Sequence, residues 1–140
     1  KKDCKNRAPF PPNKSGRRLR RPKAAAAAAL ERIAGVTVDG QLEQLRRLLY
    51  AGEWIESHVL HIGFLHAPDF LGASSGLELA DSHPELIKDV LRLKKIGNDI
   101  MEVVGGRPIH PVNVRLGGFH RAPSRRSLLE LREELLRARD

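Results

Sequence analysis

Between Gln41 and Leu65 the apolar side chains Leu42, Leu45, Leu49, Ile55, Val59 and Ile62 recur at intervals close to three and four, with no proline inside the run. A strand would alternate by two; this spacing lines one side of a helix of 3.6 residues per turn. A second stripe, Leu86, Val90, Leu93, Ile96 and Ile100, follows in residues 84–104. Two long helices with an apolar side each face a core, so the chain is mainly α.

Glycine, proline and serine punctuate the two runs. Residues 24–34, AAAAAALERIA, are strong helix formers closed by Gly35, and the turn-like VTVDG follows. Ala67-Pro68 is expected to end or kink the 41–65 helix, because proline lacks the amide donor and disfavours helical geometry just before itself. That leaves DFLGASSG, residues 69–76, as a loop. Ser82 is the expected N-cap of the next helix, with Pro84 and Glu85 in its first turn, and the helix runs to Val104. Gly105-Gly106 then stops it. From Val104 to Pro123 the chain reads VGGRPIHPVNVRLGGFHRAP, and its centre, IHPVNVRL, has the content of a short hairpin or an extended crossing. Ser124 caps a last amphipathic helix, RRSLLELREELLRARD, whose Glu/Arg pairs face solvent and whose pattern is cut at Asp140, as in a truncated chain. The expected fold is mainly α, a helical bundle with a small β element around residues 107–119.

With 140 residues, 41% of them hydrophobic, the chain suits one modest domain. No run approaches the roughly 18 apolar residues of a membrane span. The opening KKDCKNRAPFPPNK lacks the apolar core of a secretory signal, and Cys4 alone makes no internal disulfide, so a reducing, cytoplasmic setting is expected. The net charge of +8 is unevenly placed: residues 1–23 hold ten Lys/Arg against one Asp, and residues 24–140 hold 15 against 16 Asp/Glu. A basic tail over 1–23, read as disordered or aberrant, therefore adjoins a nearly neutral helical domain over 24–140. Such a tail can neutralise phosphates, but Phe10 is the one stacking platform in it, and a basic-tailed nucleic-acid binder is the weakest of the readings.

His58 and His61, three apart, share a helix face and can begin a metal site. No third ligand of assured position accompanies them, and no His-Glu-x-x-His pattern exists, so hydrogen-bonded histidines are the stronger reading and no metal ligand is assigned. Gly105, Gly106, Gly117 and Gly118 read as backbone-shaping residues; none belongs to a Gly-x-Gly-x-x-Gly loop or a Walker loop. Arg107, Arg115 and Arg121 suit planar contact with an anion or a partner's carboxylates.

The segments ALERIAGV (29–36), QLEQLRRLLYAGEWIESHVLH (41–61), APDFLG (67–72) and LKKIGNDIMEVVGGRPIHPVNVRLGGFHRAPS (93–124) together resemble the large, catalytic subunit of nickel-iron hydrogenases. They look most like the cytoplasmic, multi-subunit group that exchanges electrons with NAD(P) or coenzyme F420. The resemblance covers roughly residues 24–130. It implies reversible oxidation of H2 at a nickel-iron centre in the full-length protein, with electrons leaving through a small subunit that carries iron-sulfur clusters and through further electron-transfer subunits.

In that family nickel is held by four thiolates from two Cys-x-x-Cys pairs. The first pair would fall at Ser15–Arg18, where the sequence is SGRR, and Cys4 has no partner, so no nickel-iron centre is expected on this chain alone and it is expected to be inactive alone. The resemblance assigns hydrogen bonding around a buried metal pocket and proton traffic to Ser57, His58 and His61. It matches Asp69 to a Pro-Asp loop, Arg107 and His110 to a Gly-Arg-x-x-His-Pro segment facing the small subunit, and Gly117-Gly118 to a point of close backbone approach. An alternative is a non-catalytic helical interaction module of the same family, docking on a partner subunit through residues 105–121.

Overall fold

The structure, a computed structural model, describes residues 23–139. The basic tail up to Pro22, with Cys4 and the Ser15–Arg18 segment, lies outside the described residues, as does Asp140. In chain order the elements are α1 (Lys23–Ala34), α2 (Gly40–His61), a π-helical turn (Ile62–His66), α3 (Ala67–Leu71), α4 (Gly76–Ser82), α5 (Pro84–Gly105), the strands β1 (Val114–Arg115) and β2 (Gly118–Phe119), and α6 (Arg125–Arg139).

The spine is the antiparallel pair α2 and α5. Its seam is set by glycines: a Cβ on Gly52 would lie 2.6 Å from Ile100 Cγ2, and one on Gly97 would lie 2.6 Å from Glu56 N and 2.8 Å from Gly52 O. Gly63 meets Val90 in the same way. Without side chains at these points the two backbones approach closely, which outweighs the modest cost of glycine inside a helix. Along α5 the seam runs through Val90, Gly97 and Val104, seven residues apart, with Ile87, Ile96, Ile100 and Met101 also buried. Leu86 and Leu93, expected in the buried stripe, fall on its flank and are 38% and 37% exposed. The small Gly97, which pattern reading passes over, fixes which side of the helix turns inward.

One core cluster joins Ala27, Leu49, Met101, Val104 and Val114, bringing α1 and the hairpin onto the α2–α5 pair. A second joins Ile96 and Ile100 to Leu131 of α6. Ser124 caps α6 as expected, accepting the Ser127 N–H at 3.0 Å. Gly106, at φ 80°, closes α5 in the left-handed conformation that glycine adopts at little cost.

Three expectations around residue 68 are corrected. Pro68, expected to end or kink the long helix, does not end it: α2 closes at His61 and the run passes through a π turn and α3 to Leu71. The Ala67 N–H reaches back five residues to Ile62 O, and Pro68 then falls in the first turn of α3, where an amide donor is not required. The π turn also places Gly63 against Val90 and leaves Ile62, expected in the stripe, exposed. The supposed loop 69–76 shrinks to residues 72–75, with Asp69 helical and α4 starting at Gly76. Ser82 ends α4 instead of capping α5, its hydroxyl donating to Glu78 O at 3.0 Å. His83 stands at the N-cap of α5 without a side-chain cap bond, and the capping serine is Ser75 of α4, which accepts from Glu78 N at 3.3 Å while the Glu78 carboxylate accepts from Ser74 N at 2.8 Å, a variant of the capping box.

The β element is a hairpin pairing Val114 with Phe119 and Arg115 with Gly118, antiparallel. It occupies the C-terminal part of the expected 107–119 region. Its turn is Leu116-Gly117, and Gly117 takes φ 77° there.

Candidate functional site

Helices α1 and α2 are joined by a charge pair buried at their crossing. Arg46 donates from Nη1 to Glu31 Oε2 at 2.8 Å and from Nη2 to Glu31 Oε1 at 2.7 Å. The same guanidinium reaches the hairpin, with Arg115 O at 2.9 Å and Gly118 O at 3.2 Å, and it lies 5.9 Å from the Phe119 ring centroid. The Gly117 N–H donates back to Glu31 Oε1 at 2.8 Å. Both residues are buried, so each charge depends on the other for its solvation. The bonds from Arg46 hold the Glu31 carboxyl below the usual glutamate range and Gly117 assists, against burial, which pushes the other way.

Asn113 supplies a second tie. Its Nδ2 donates to Val104 O at 2.8 Å and Arg121 O at 2.7 Å, and its Oδ1 accepts from Arg121 N at 2.9 Å. The end of α5 and both limbs of the hairpin are thereby fixed. An open groove beside the Glu31–Arg46 pair, between α1, the 35–38 turn and α2, is lined by Ala28, Arg32, Val36, Arg47 and Tyr50.

The sequence-derived candidates divide between two places. Ser57 is half-buried on the distal half of α2, and His58 and His61 are exposed there. His58 Nδ1 donates to Trp54 O at 2.8 Å, and its ring meets Trp54 edge-on. His61 contacts His66 across the π turn, ring centroids 4.6 Å apart, so the geometry pairs His61 with His66 and not with His58. Asp69 is exposed on α3. Arg107 and His110 lie at the other end of the spine, exposed in the crossing after α5, with His110 at φ 58°. A Cβ on Gly105 would lie 3.0 Å from Leu49 Cδ1, which places that crossing beside Leu49. Eight to twelve residues of α2 separate Leu49 from Ser57 and His61, about 12–18 Å at the helical rise. The two groups therefore do not converge. Gly105, the last residue of α5, and Gly118, the first of β2, are buried, and Gly106 and Gly117, in the turns beside them, are exposed.

Sequence reasoning passed over Arg46 and Asn113, and took Glu31 only as part of a motif. Their signal was faint: a charged residue on each of two amphipathic helices and an Asn in a loop.

Among the described residues no group of three or more His, Cys, Asp or Glu side chains is placed to hold a metal ion. A four-thiolate nickel-iron group does not fit the described residues, which contain no cysteine. No described helix is long and apolar enough to cross a membrane.

Comparison with known proteins places these elements. No protein-family model matches the chain. The alpha subunit of sulfhydrogenase 2 of Pyrococcus furiosus is 41% identical over 78% of this chain and 26% of its own length. The alpha subunit of sulfhydrogenase 1 of the same organism is 37% identical, over 83% of this chain and 27% of its own. A polypeptide of the vhu F420-non-reducing hydrogenase of Methanocaldococcus jannaschii is 37% identical, over 83% and 28%. Among solved structures, an NAD+-reducing NiFe-hydrogenase in the H2-reduced state superposes with a TM-score of 0.78 at 31% identity, covering 83% of this chain and 28% of that one. The chain thus spans about a quarter of the length of the relatives it matches.

Proposed function

This chain is a homologue of nickel-iron hydrogenase large (alpha) subunits over about a quarter of their length, and from that premise we propose that it forms the helical scaffold portion of such a subunit. In the whole enzyme H2 is oxidised reversibly and electrons pass to a small subunit carrying iron-sulfur clusters and on to further electron-transfer subunits. The same reading carries a cytoplasmic location.

The observation that supports it best is the coincidence of sequence and fold. A match 41% identical to a hydrogenase alpha subunit takes in 78% of the chain and a superposition on a hydrogenase chain takes in 83%, so the two overlap over most of its length. In this reading the α2–α5 spine, the Glu31–Arg46 pair and the hairpin hold one wall of a larger helical body. Arg107 and His110 face the small subunit, and Ser57, His58, His61 and Asp69 serve proton traffic near the metal pocket. No thiolate comes from the described residues, so the metal ligands belong to other parts of the full-length subunit.

A segment exchange tests the scaffold role. Residues 24–130 replace the matching stretch of the Pyrococcus furiosus sulfhydrogenase 2 alpha subunit, whose own sequence outside that stretch is kept. The chimera is expected to incorporate nickel and to reduce a dye with H2. A folded chimera that takes up no nickel would overturn the reading. On this chain alone, nickel is expected well below stoichiometric in a metal analysis, and H2-dependent dye reduction is expected to be absent.

A further inference from the structure

We propose that His61 and His66 form a two-imidazole site for a divalent transition ion of the zinc or copper class. The site depends on a local departure from α-helical geometry. In a regular α-helix, side chains five residues apart point about 140° away from each other. Through a π turn of about 4.4 residues they come within about 50°, and π turns are frequent at functional sites. The segment Ile62–His66 is such a turn, and the rings of His61 and His66 meet with centroids 4.6 Å apart and planes tilted by 53°.

That separation suits shared coordination. With metal–nitrogen bonds of about 2.0–2.1 Å, a ligating ring has its centroid about 3.2 Å from the ion. Two rings at a right angle then lie about 4.5 Å apart, and two at the tetrahedral angle about 5.2 Å, so both ion classes fall near the observed spacing. The nitrogens are also uncommitted. His58 spends its Nδ1 on the Trp54 carbonyl, whereas His61 and His66, both exposed, have no partner among the described residues except each other. Imidazole is a preferred ligand for zinc and copper, and with two protein ligands the rest of the coordination sphere is water, so the ion exchanges freely.

The full chain carrying Cys4→Ser, which removes the thiol as a competing ligand, is titrated with Zn2+ alone. Calorimetry reads stoichiometry and affinity, and imidazole nitrogen NMR reads which rings respond. One equivalent is expected, with the His61 and His66 signals shifting. His61→Asn and His66→Asn are each expected to weaken binding by at least about tenfold, comparable to the loss when a metal site's support is removed. His58→Asn is expected to leave it unchanged. All three positions are exposed, and circular dichroism confirms that each variant keeps its helices. Zinc binding that survives both single variants, or that falls equally in His58→Asn, would overturn the proposal, as would the absence of binding at millimolar zinc.

Discussion

The two ends of the α2–α5 spine are finished in different ways. At the α1 and hairpin end, polar groups close the structure: the Glu31–Arg46 pair is buried and bonded on both sides, and Asn113 ties three backbone groups. Large apolar side chains remain in water at both ends, Ile33 at 83% and Ile109 at 61% exposure at the first, but at the π-turn end no buried ion pair stands beside them among the described residues. There Phe70 is 86% exposed and Leu77 82%, with Trp54, Ile62 and Leu65 each well over half exposed. Buried ionic contacts are specific about partner and angle, whereas exposed apolar surface is not. The first end therefore carries the internal order of the fold, and the second is the less determined part.

The sharpest way to break that contrast is to remove one partner of the buried pair. Arg46→Ala leaves the Glu31 carboxylate buried and uncompensated, and a loss of about 3–5 kcal/mol in urea unfolding is expected. Exchanging both residues for apolar ones of similar size should cost far less, because no orphan charge remains. A loss under about 1 kcal/mol for Arg46→Ala would mean that the pair does not organise this end.

Acid titration reads the same pair without mutation. The Glu31 carboxyl is held below its ordinary value near 4.5 in the folded state, so its contribution is fully present above that value and is lost as pH falls through the lower folded value. Stability should decline on that acid limb, and Glu31→Gln should flatten the decline while lowering stability at neutral pH.

Next in size is Gly97→Ala, whose new methyl meets backbone atoms of α2 that cannot turn aside. About 1–3 kcal/mol of destabilisation is expected. Phe70→Ser, at the other end, should cost under about 0.5 kcal/mol and reduce self-association in sedimentation. If Phe70→Ser proved as costly as Gly97→Ala, the two ends would not differ as described. Smaller than Gly97→Ala, too, is Ser75→Ala, which removes the cap of α4 and should cost about 1 kcal/mol or less, read as faster amide exchange in residues 76–82.

Helix existence was legible because apolar spacing directly reports a period, which α2, α5 and α6 follow, while α1 was legible from its alanine run. The π turn was not, since one residue of extra winding leaves the spacing of apolar residues almost unaltered. Pro68 misled for a related reason: proline stops a helix only where its missing donor is needed, and the π turn removes that need. The seam was hidden because Gly52, Gly63 and Gly97 look like weak points of a helix until the opposing backbone is seen. Glu31 and Arg46 lie fifteen residues apart and look like surface charges; only the hairpin, some seventy residues further on, closes over them. Of the candidate site residues, Ser57, His58, His61 and Asp69 fall along one stretch, from the distal half of α2 to α3. Their distance from Arg107 and His110 follows from the antiparallel course of α5, which no local pattern encodes.

The π turn has a consequence for how sequences of this kind can vary in length. Five residues, Ile62–His66, occupy a turn that a regular helix would complete with fewer. Removing one of them would let the hydrogen-bond ladder run uniformly and would swing α3 and α4 about 100° around the axis of α2. A chain shortened there by one apolar residue keeps its histidines and its helices, yet presents them to different neighbours. The interval between His61 and His66 thus works as a phase marker: two sequences with the same side chains but a different count across it are not interchangeable in three dimensions.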